Sequence, residues 1–455
     1  MSTRGEIPID LHITPIDGRN YHKIKALSSY FSERALNRER IYVEIHYLLW
    51  LSKYRVIRKL SKKEISTLSS LLTLTTKDYC HLRDIESQVN HDVKAIELYI
   101  QQKISGTTLN DISSMVHFGL TSDDINSCAY ARCVNESVKK IILPIVREIH
   151  TGLQKSAKKY KNLPMLARTH GQPATGTTYG KEIGVFVHRL EKSITNLQSH
   201  RIGAKLSGNV GTFNAHVVVF PQINWLTFSK TFLLHIGVEP EMVTTQIAPY
   251  DTYIQIFQTL LHINLILLGF SKDMWLYTML GYVKQKNVSK EVGSTALPHK
   301  INPIYLEGAE GGFEIANSLL ELYIRKLSYS RLQRDLSDST VRRSFGTAFS
   351  YSLLSYQSIL EACNRMEPNE ERMKEDLLSH FEILSEAIQN YLRTKGFTDA
   401  YEKTKQFFRG HVSTKSDVEA FILNLSISKK DKVYLLTLNP LTYTGLAHTI
   451  VDTYV

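Results

Sequence analysis

The chain has 455 residues, of which 43% are hydrophobic and 22% charged, and its formal net charge is +11. This length excludes a single compact core and predicts two or three domains, and the composition is that of a soluble globular protein. The positive balance fits a nucleic-acid partner or an anionic small molecule, and charge alone does not separate the two. Cys80, Cys128, Cys133 and Cys363 lack CxxC spacing, so they read as buried thiols in a reducing cytoplasm, with no metal site suggested. The N-terminus has no charged-then-apolar signal pattern. The most apolar run, 260–270, is broken by His262 and Asn264, which predicts a buried helix and no membrane span.

Residues 1–28 are mixed and include the turn-like Pro15-Ile16-Asp17-Gly18-Arg19, followed by Asn20 and Tyr21. From about residue 29 to residue 112 the pattern is helical, with Leu36, Ile41, Ile45, Leu48 and Leu49 near one face and Arg38, Glu39, Arg40 and Glu44 elsewhere. Within this region Asn90-His91-Asp92 sets an imidazole between an amide and a carboxylate, which suits phosphate binding, proton-carrier orientation or plain helix capping. His117 to Asp124 reads as a helix start: Thr121 or Ser122 caps, acids follow, and the free N–H groups form an anion site. A long helix is expected at 135–161, kinked at Pro144.

In Arg168-Thr169-His170-Gly171-Gln172-Pro173-Ala174 a turn bounded by Gly and Pro makes an imidazole accessible. That suits proton transfer, although a lone His is more often structural. Helices are expected at 176–202 and 222–236, with a Gly- and Asn-rich connection from Ser207 to His216. Thr244-Thr245-Gln246-Ile247-Ala248-Pro249 comes next. Helices at 252–281 and 304–328 are long and apolar enough to bury most of their circumference, which points to a multi-chain bundle.

Between those two helices runs Gly293-Ser294-Thr295-Ala296-Leu297-Pro298-His299-Lys300-Ile301-Asn302-Pro303. Its prolines predict a shaped loop, and an extended backbone puts Lys300 and Asn302 on one face. A cation and an amide beside Ser294 suit stabilisation of charge on a carboxylate; an ordinary solvated loop fits equally. Ser330 to Asp335 and Ser339 to Arg343 gather guanidiniums, as a phosphate site or an exposed basic face does. The composition turns polar around Glu367-Pro368-Asn369-Glu370, and short helices should come after it. The expected domains are 1–112, 113–364 and 365–455.

GSTALPHKINP closely resembles the GSSxMPxKxNP signature of the fumarate-releasing lyases: fumarase, aspartase, argininosuccinate lyase and adenylosuccinate lyase. His299 resembles the adenylosuccinate lyase version, and RTHGQPA is similar to that family's form of a second signature. Further matches are PxDGR, NHD, HFxxTSxD, TTQI and SRxQRDxxDST…R, so the resemblance covers essentially the whole chain. It implies an all-α, three-domain fold with a long central helical bundle, assembled as a homotetramer whose active sites are each shared by several protomers. The implied reaction is β-elimination of fumarate from adenylosuccinate and from succinylaminoimidazole carboxamide ribotide, in purine nucleotide biosynthesis, with no cofactor or metal. No nucleic acid or membrane partner is implied, and the expected location is cytoplasmic.

By resemblance, Ser294 is the base and His170 the general acid, while Lys300 and Asn302 stabilise the dianionic intermediate. Lys284, Lys286 and Lys290 add positive bias. The phosphate is expected at Arg19, Arg334, Ser339 and Arg343, and the remaining substrate contacts at Asn20, Asn90, His91, Asp92, Thr121, Ser122, Gln246 and Thr295. The departures are Asn20 for Tyr, Ala248 for an acid, Tyr250 for His, Gly308 for Asn and Leu332 for Trp, with milder ones at Thr295 and Leu297. They leave open a different succinyl adduct. A basic nucleic-acid-binding relative without turnover is the other alternative, and retention of Ser294, Lys300, Asn302 and His170 argues against it.

Overall fold

The computed structural model describes residues 13–286 and 296–455, and Lys290, Gly293, Ser294 and Thr295 therefore lie outside the described residues. The chain is mostly helical, with three two-stranded pairings among the described residues. It divides into two compact units, each assembled from three stretches: 1–146, 193–265 and 311–356, and 147–192, 266–310 and 357–455.

In the first unit the helix Glu33–Lys53 starts at Ser32, whose hydroxyl accepts from the Ala35 N–H at 3.1 Å. Ile41, Ile45 and Leu48 are buried as the periodicity predicts, and Tyr47 meets Phe228 and Phe232 edge-on. Arg40 and Glu44 are buried as well, which an apolar stripe does not foretell. Arg40 survives burial because Asn37, Asn126 and Asp92 accept from it at 2.8, 2.9 and 2.6 Å.

The helix expected at 135–161 is instead two helices, Ser122–Ser137 and Leu143–Lys159, joined by a π-turn at Val138–Ile142. Pro144 has no N–H to give to the preceding turn, and the widened turn lies just ahead of it. The Ser207–His216 connection leads into a short helix, Asn214–Val219, that its Gly- and Asn-rich composition does not foretell. The expected helix at 222–236 is Trp225–His235.

Asp251–Met279 and Ile304–Leu327 match the two long helices expected. Asp251–Met279 has the length and hydropathy to cross a membrane, yet 56% of its most apolar window is buried within the protein. Asn264, which interrupts that run, is satisfied: it donates to Asn317 and Ser352 at 3.0 and 3.1 Å and accepts from Tyr356 at 2.5 Å. These helices do not bury most of their circumference in the single chain, since Leu265, Trp275, Leu276, Met279, Ile304, Ile315 and Leu322 are exposed. Of the cysteines, Cys128 and Cys133 are buried and Cys363 partly so, but Cys80 is exposed, contrary to expectation.

In the second unit, Pro164–Thr169 and Gln172–Thr178 form an antiparallel hairpin, so the following helix begins at Tyr179 and not at 176. The C-terminal helices close on Leu377, Ile388, Leu392, Ile422 and Leu435, together with Leu166 of the hairpin. Gly180 sits where a Cβ would lie 2.3 Å from the Ala157 carbonyl oxygen and 2.6 Å from the Lys161 backbone. Replacing a helical Gly by Ala ordinarily stabilises by about 1 kcal/mol. Here two backbones must separate, at a cost of roughly 1–3 kcal/mol, so Gly180→Ala should lower the melting temperature. A thermal unfolding scan in which it melts at or above the parent would contradict this close approach.

Candidate active site

The first unit holds most of the predicted substrate residues. Asn90 ends the helix Thr76–Val89 in the left-handed conformation, φ 52°. His91 then starts Asp92–Ile104, its Nδ1 accepting from the Lys94 N–H at 3.1 Å, so it caps the helix. Asp92 pairs with Arg40 at 2.6 Å and with Arg343 at 3.5 Å. Burial pushes the Asp92 carboxyl up, but Arg40, the Val93 N–H and Arg343 outweigh it and hold it below its usual range.

Thr121 precedes the helix Ser122–Ser137, and its N–H donates to Asp124 at 2.9 Å. Asp124 and Lys205 are both fully enclosed (0% side-chain exposure) and meet at 2.7 Å. The N–H groups of Ser207 and Gly208 also donate to Asp124, at 2.8 and 3.1 Å. Next to it, buried Asp123 faces Arg342 at 3.1 Å and Arg334 at 3.4 Å. Arg342 reaches Asp338 at 3.2 Å, and the Tyr250 hydroxyl donates to the same carboxylate at 2.5 Å. On the other side of Thr121, His117 pairs with buried Glu44 at 2.5 Å. The Phe118 carbonyl accepts from Tyr47, whose hydroxyl also meets His216.

Gln246 donates from its side chain to Asn209 at 2.7 Å and from its N–H to the Gln333 carbonyl at 3.3 Å, joining the TTQI and SRLQRD segments. Ser339 lies in the short helix Ser337–Arg342. Arg343 comes directly after it with 60% of its side chain exposed, whereas Arg334 is largely buried among the acids. Arg19 is exposed on its turn and Asn20 is half-buried.

His170, Lys300 and Asn302 belong to the second unit. His170 and Gly171 form the hairpin's two-residue turn with φ of 55° and 75°, the signs of a type I′ turn, and His170 is exposed. The Lys300 N–H donates to the Leu297 carbonyl at 3.1 Å and its side chain is exposed. Asn302 is half-buried, just before the helix Ile304–Leu327. Lys284 is exposed on the strand Val283–Gln285, while Lys286 is engaged by Glu367 at 3.2 Å.

The lyase family matches residues 18–313, and the adenylosuccinate lyase C-terminal family matches residues 330–444. Adenylosuccinate lyases of Dictyostelium discoideum and Legionella pneumophila are 41% and 40% identical to the chain, covering 98% and 97% of it and 99% and 98% of themselves. The chain belongs to the adenylosuccinate lyase family. It is a lyase, and the corresponding Escherichia coli enzyme is 36% identical over 97% of this chain and 98% of its own. Its fold is also that of more distant solved structures. A 3-carboxy-cis,cis-muconate lactonizing enzyme from Pseudomonas putida superposes with a TM-score of 0.77 at 17% identity, covering 96% of this chain and 97% of that one. A fumarate lyase from Mesorhizobium sp. BNC1 gives 0.74 at 15%, covering 94% and 97%.

Several buried groups of the first unit escaped the sequence reading: Arg40, Glu44, Lys205, Asp338 and Arg342. Arg40 and Glu44 carried a faint local signal, being one turn apart and flanking the core position Ile41. Lys205 carried none, its partner being 81 residues away, and Arg342 stood out only as one of the gathered guanidiniums, its burial against Asp123, 219 residues away, having no local sign.

Two consequences are measurable. Arg342→Met leaves Asp123 and Asp338 enclosed without their main cation and should cost about 3–5 kcal/mol of stability. Arg343→Met, at an exposed pair, should cost no more than about 1 kcal/mol. Comparable melting temperatures for the two variants would refute that division. For His117, burial pulls the imidazole down but the Glu44 carboxylate outweighs it, so its pKa is raised. The stabilisation from this pair is fully present below the unfolded value of about 6.5 and is lost as pH rises through the higher folded value. Melting curves across that window should show the loss in the parent and its absence in Glu44→Gln.

Proposed function

We propose that the chain splits adenylosuccinate into AMP and fumarate, and the succinylaminoimidazole carboxamide ribotide into its carboxamide product. The observation carrying this reading is 36–41% identity to adenylosuccinate lyases along nearly the full length. In the proposed mechanism Ser294 takes a proton from the carbon beside a substrate carboxylate. The charge moves onto that carboxylate as a dianion, which Lys300 and Asn302 stabilise. The carbon–nitrogen bond then breaks, its electron pair stays on nitrogen, and His170 supplies the proton that makes the amine a good leaving group. A serine hydroxyl is a weak base in water, so this role requires a desolvated, positively biased setting.

On the binding side, Arg343 and Arg19, whose side chains are exposed, meet the phosphate together with Arg334 and Ser339. Thr121, Ser122, Gln246, Thr295, Asn20 and the Asn90-His91-Asp92 triplet contact the rest of the substrate. We further propose a cytoplasmic homotetramer with sites shared between chains. The exposed apolar side chains on Asp251–Met279 and Ile304–Leu327 support assembly, which would bury them. Of the three proposed domains, 1–112, 113–364 and 365–455, the first two carry the candidate residues, scattered widely along the sequence, which would suit such sharing.

Fumarate release from adenylosuccinate by the purified protein is the direct test. Cleavage of another succinyl adduct, with neither purine substrate turned over, would overturn the substrate assignment while keeping the chemistry. His170→Ala and Ser294→Ala should each lose roughly 10²-fold or more in kcat while still binding substrate. If hybrids of these two inactive variants form but never regain activity, the sites are not shared.

A further inference from the structure

The hairpin that carries His170 is tied to a buried carboxylate far along the chain. Asp376, in the helix Glu370–Leu378, accepts from Arg168 at 2.6 Å and from the Tyr282 hydroxyl. Asp376 and Tyr282 are buried. Arg168 is two residues before His170, at a register shift between Ala167 and Arg168 in the strand pair. Such irregularities re-aim a side chain, and here the side chain aimed is the one that meets Asp376. The Nε of Arg168 is buried without a hydrogen-bond partner, so Asp376 is the principal group compensating its charge.

The carboxylate itself is firmly held. Asn369, on the approach to its helix, donates from its N–H to the Tyr282 carbonyl at 2.7 Å and from its amide to the Gly281 carbonyl at 3.0 Å. The strands Val283–Gln285 and Met366–Pro368 pair alongside. Asp376 therefore presents a fixed anion to the base of a two-residue turn whose residues both have positive φ. A turn that short has little freedom to absorb a displacement of Arg168 without passing it to His170.

We propose that Asp376 is a positioning residue for the elimination: through Arg168 it sets the direction of the His170 imidazole towards the departing nitrogen. The proposal rests on the reading of His170 as the general acid. It assigns a catalytic consequence to a C-terminal residue outside the candidate substrate contacts.

The test uses the full-length protein with adenylosuccinate, comparing Asp376→Asn and Arg168→Lys in the parent and in the His170→Ala background, with melting temperature recorded for each. A lysine keeps the charge but not the planar fork, so Arg168→Lys carries the test if Asp376→Asn does not fold. In the parent background kcat should fall roughly 10- to 100-fold, the scale of a misplaced catalytic group, with KM nearly unchanged. In the His170→Ala background the same substitutions should cost little more, because they act through the group already removed. A folded variant with full kcat, or an equal fold-loss in both backgrounds, overturns the positioning role. Full kcat in His170→Ala alone would instead overturn the assignment of the acid, and this proposal with it.

Discussion

Asp123 and Asp124 are two adjacent carboxylates shut away from water, and a charge so placed must be met by cations and donors or not be buried at all. That requirement organises the first unit. Asp124 collects Lys205, the Thr121 N–H and the Ser207 and Gly208 N–H groups; Asp123 collects Arg342 and Arg334. Three segments distant in sequence are thereby brought to one place, because omitting any of them leaves a charge uncompensated. The arrangement also decides which arginines remain available. Arg342 and Arg40 are consumed by buried acids, whereas Arg343 keeps most of its guanidinium in solvent.

Backbone strain has the same distribution. Among the described residues six that are not glycine have positive φ: Arg55, Asn90, His117, His170, Phe213 and Leu332. Four of these, Asn90, His117, His170 and Leu332, lie within segments that match the family's functional motifs. Each such residue costs of order 1–3 kcal/mol unless its surroundings impose it, and the surroundings are visible for two of them. His117 is held by Glu44, and His170 stands in a turn only two residues long between paired strands. Strain at these positions orients a side chain that an unstrained backbone would turn elsewhere.

The sequence made some of this legible for physical reasons. Periodicity marked a helical region from about 29 to 112, within which Glu33–Lys53 lies, and sheer apolar content marked helices at 252–281 and 304–328, close to the observed Asp251–Met279 and Ile304–Leu327; the Gly171 turn was legible from its bounding Gly and Pro. The helix N-terminus at Ser122 was legible from a capping residue ahead of two acids. The features that escaped depend on partners that no local pattern encodes. Glu44 and Arg40 look like surface charges until His117, Asn126 and Asp92 arrive beside them. The division of Asp123 and Asp124 between two sets of cations is equally non-local. Strand pairing at 164–178 was missed because Thr175, Gly176 and Thr177 alternate no more clearly than a helix start would.

The departures from the family pattern do not weigh equally, and their surroundings say why. Tyr250, where His is usual, is buried and hands its hydroxyl to Asp338, which also holds Arg342. That change is therefore answered inside the protein, as part of the neutralisation of buried acids, and leaves no group directed outward. Ala248, in place of an acid, is buried two residues away, and an apolar side chain there adds no further charge to a region already dense with them. Gly308 is exposed, and a Cβ there would meet nothing within 4 Å, so the space for a larger side chain exists and is unused. Leu332 differs from all three. It is 90% exposed at φ 49°, beside Gln333, whose carbonyl is bonded to Gln246. A bulky residue held in the left-handed region costs of order 1–3 kcal/mol unless its surroundings impose that conformation. Of the four departures, Leu332 is the one that sets a large apolar side chain on the surface.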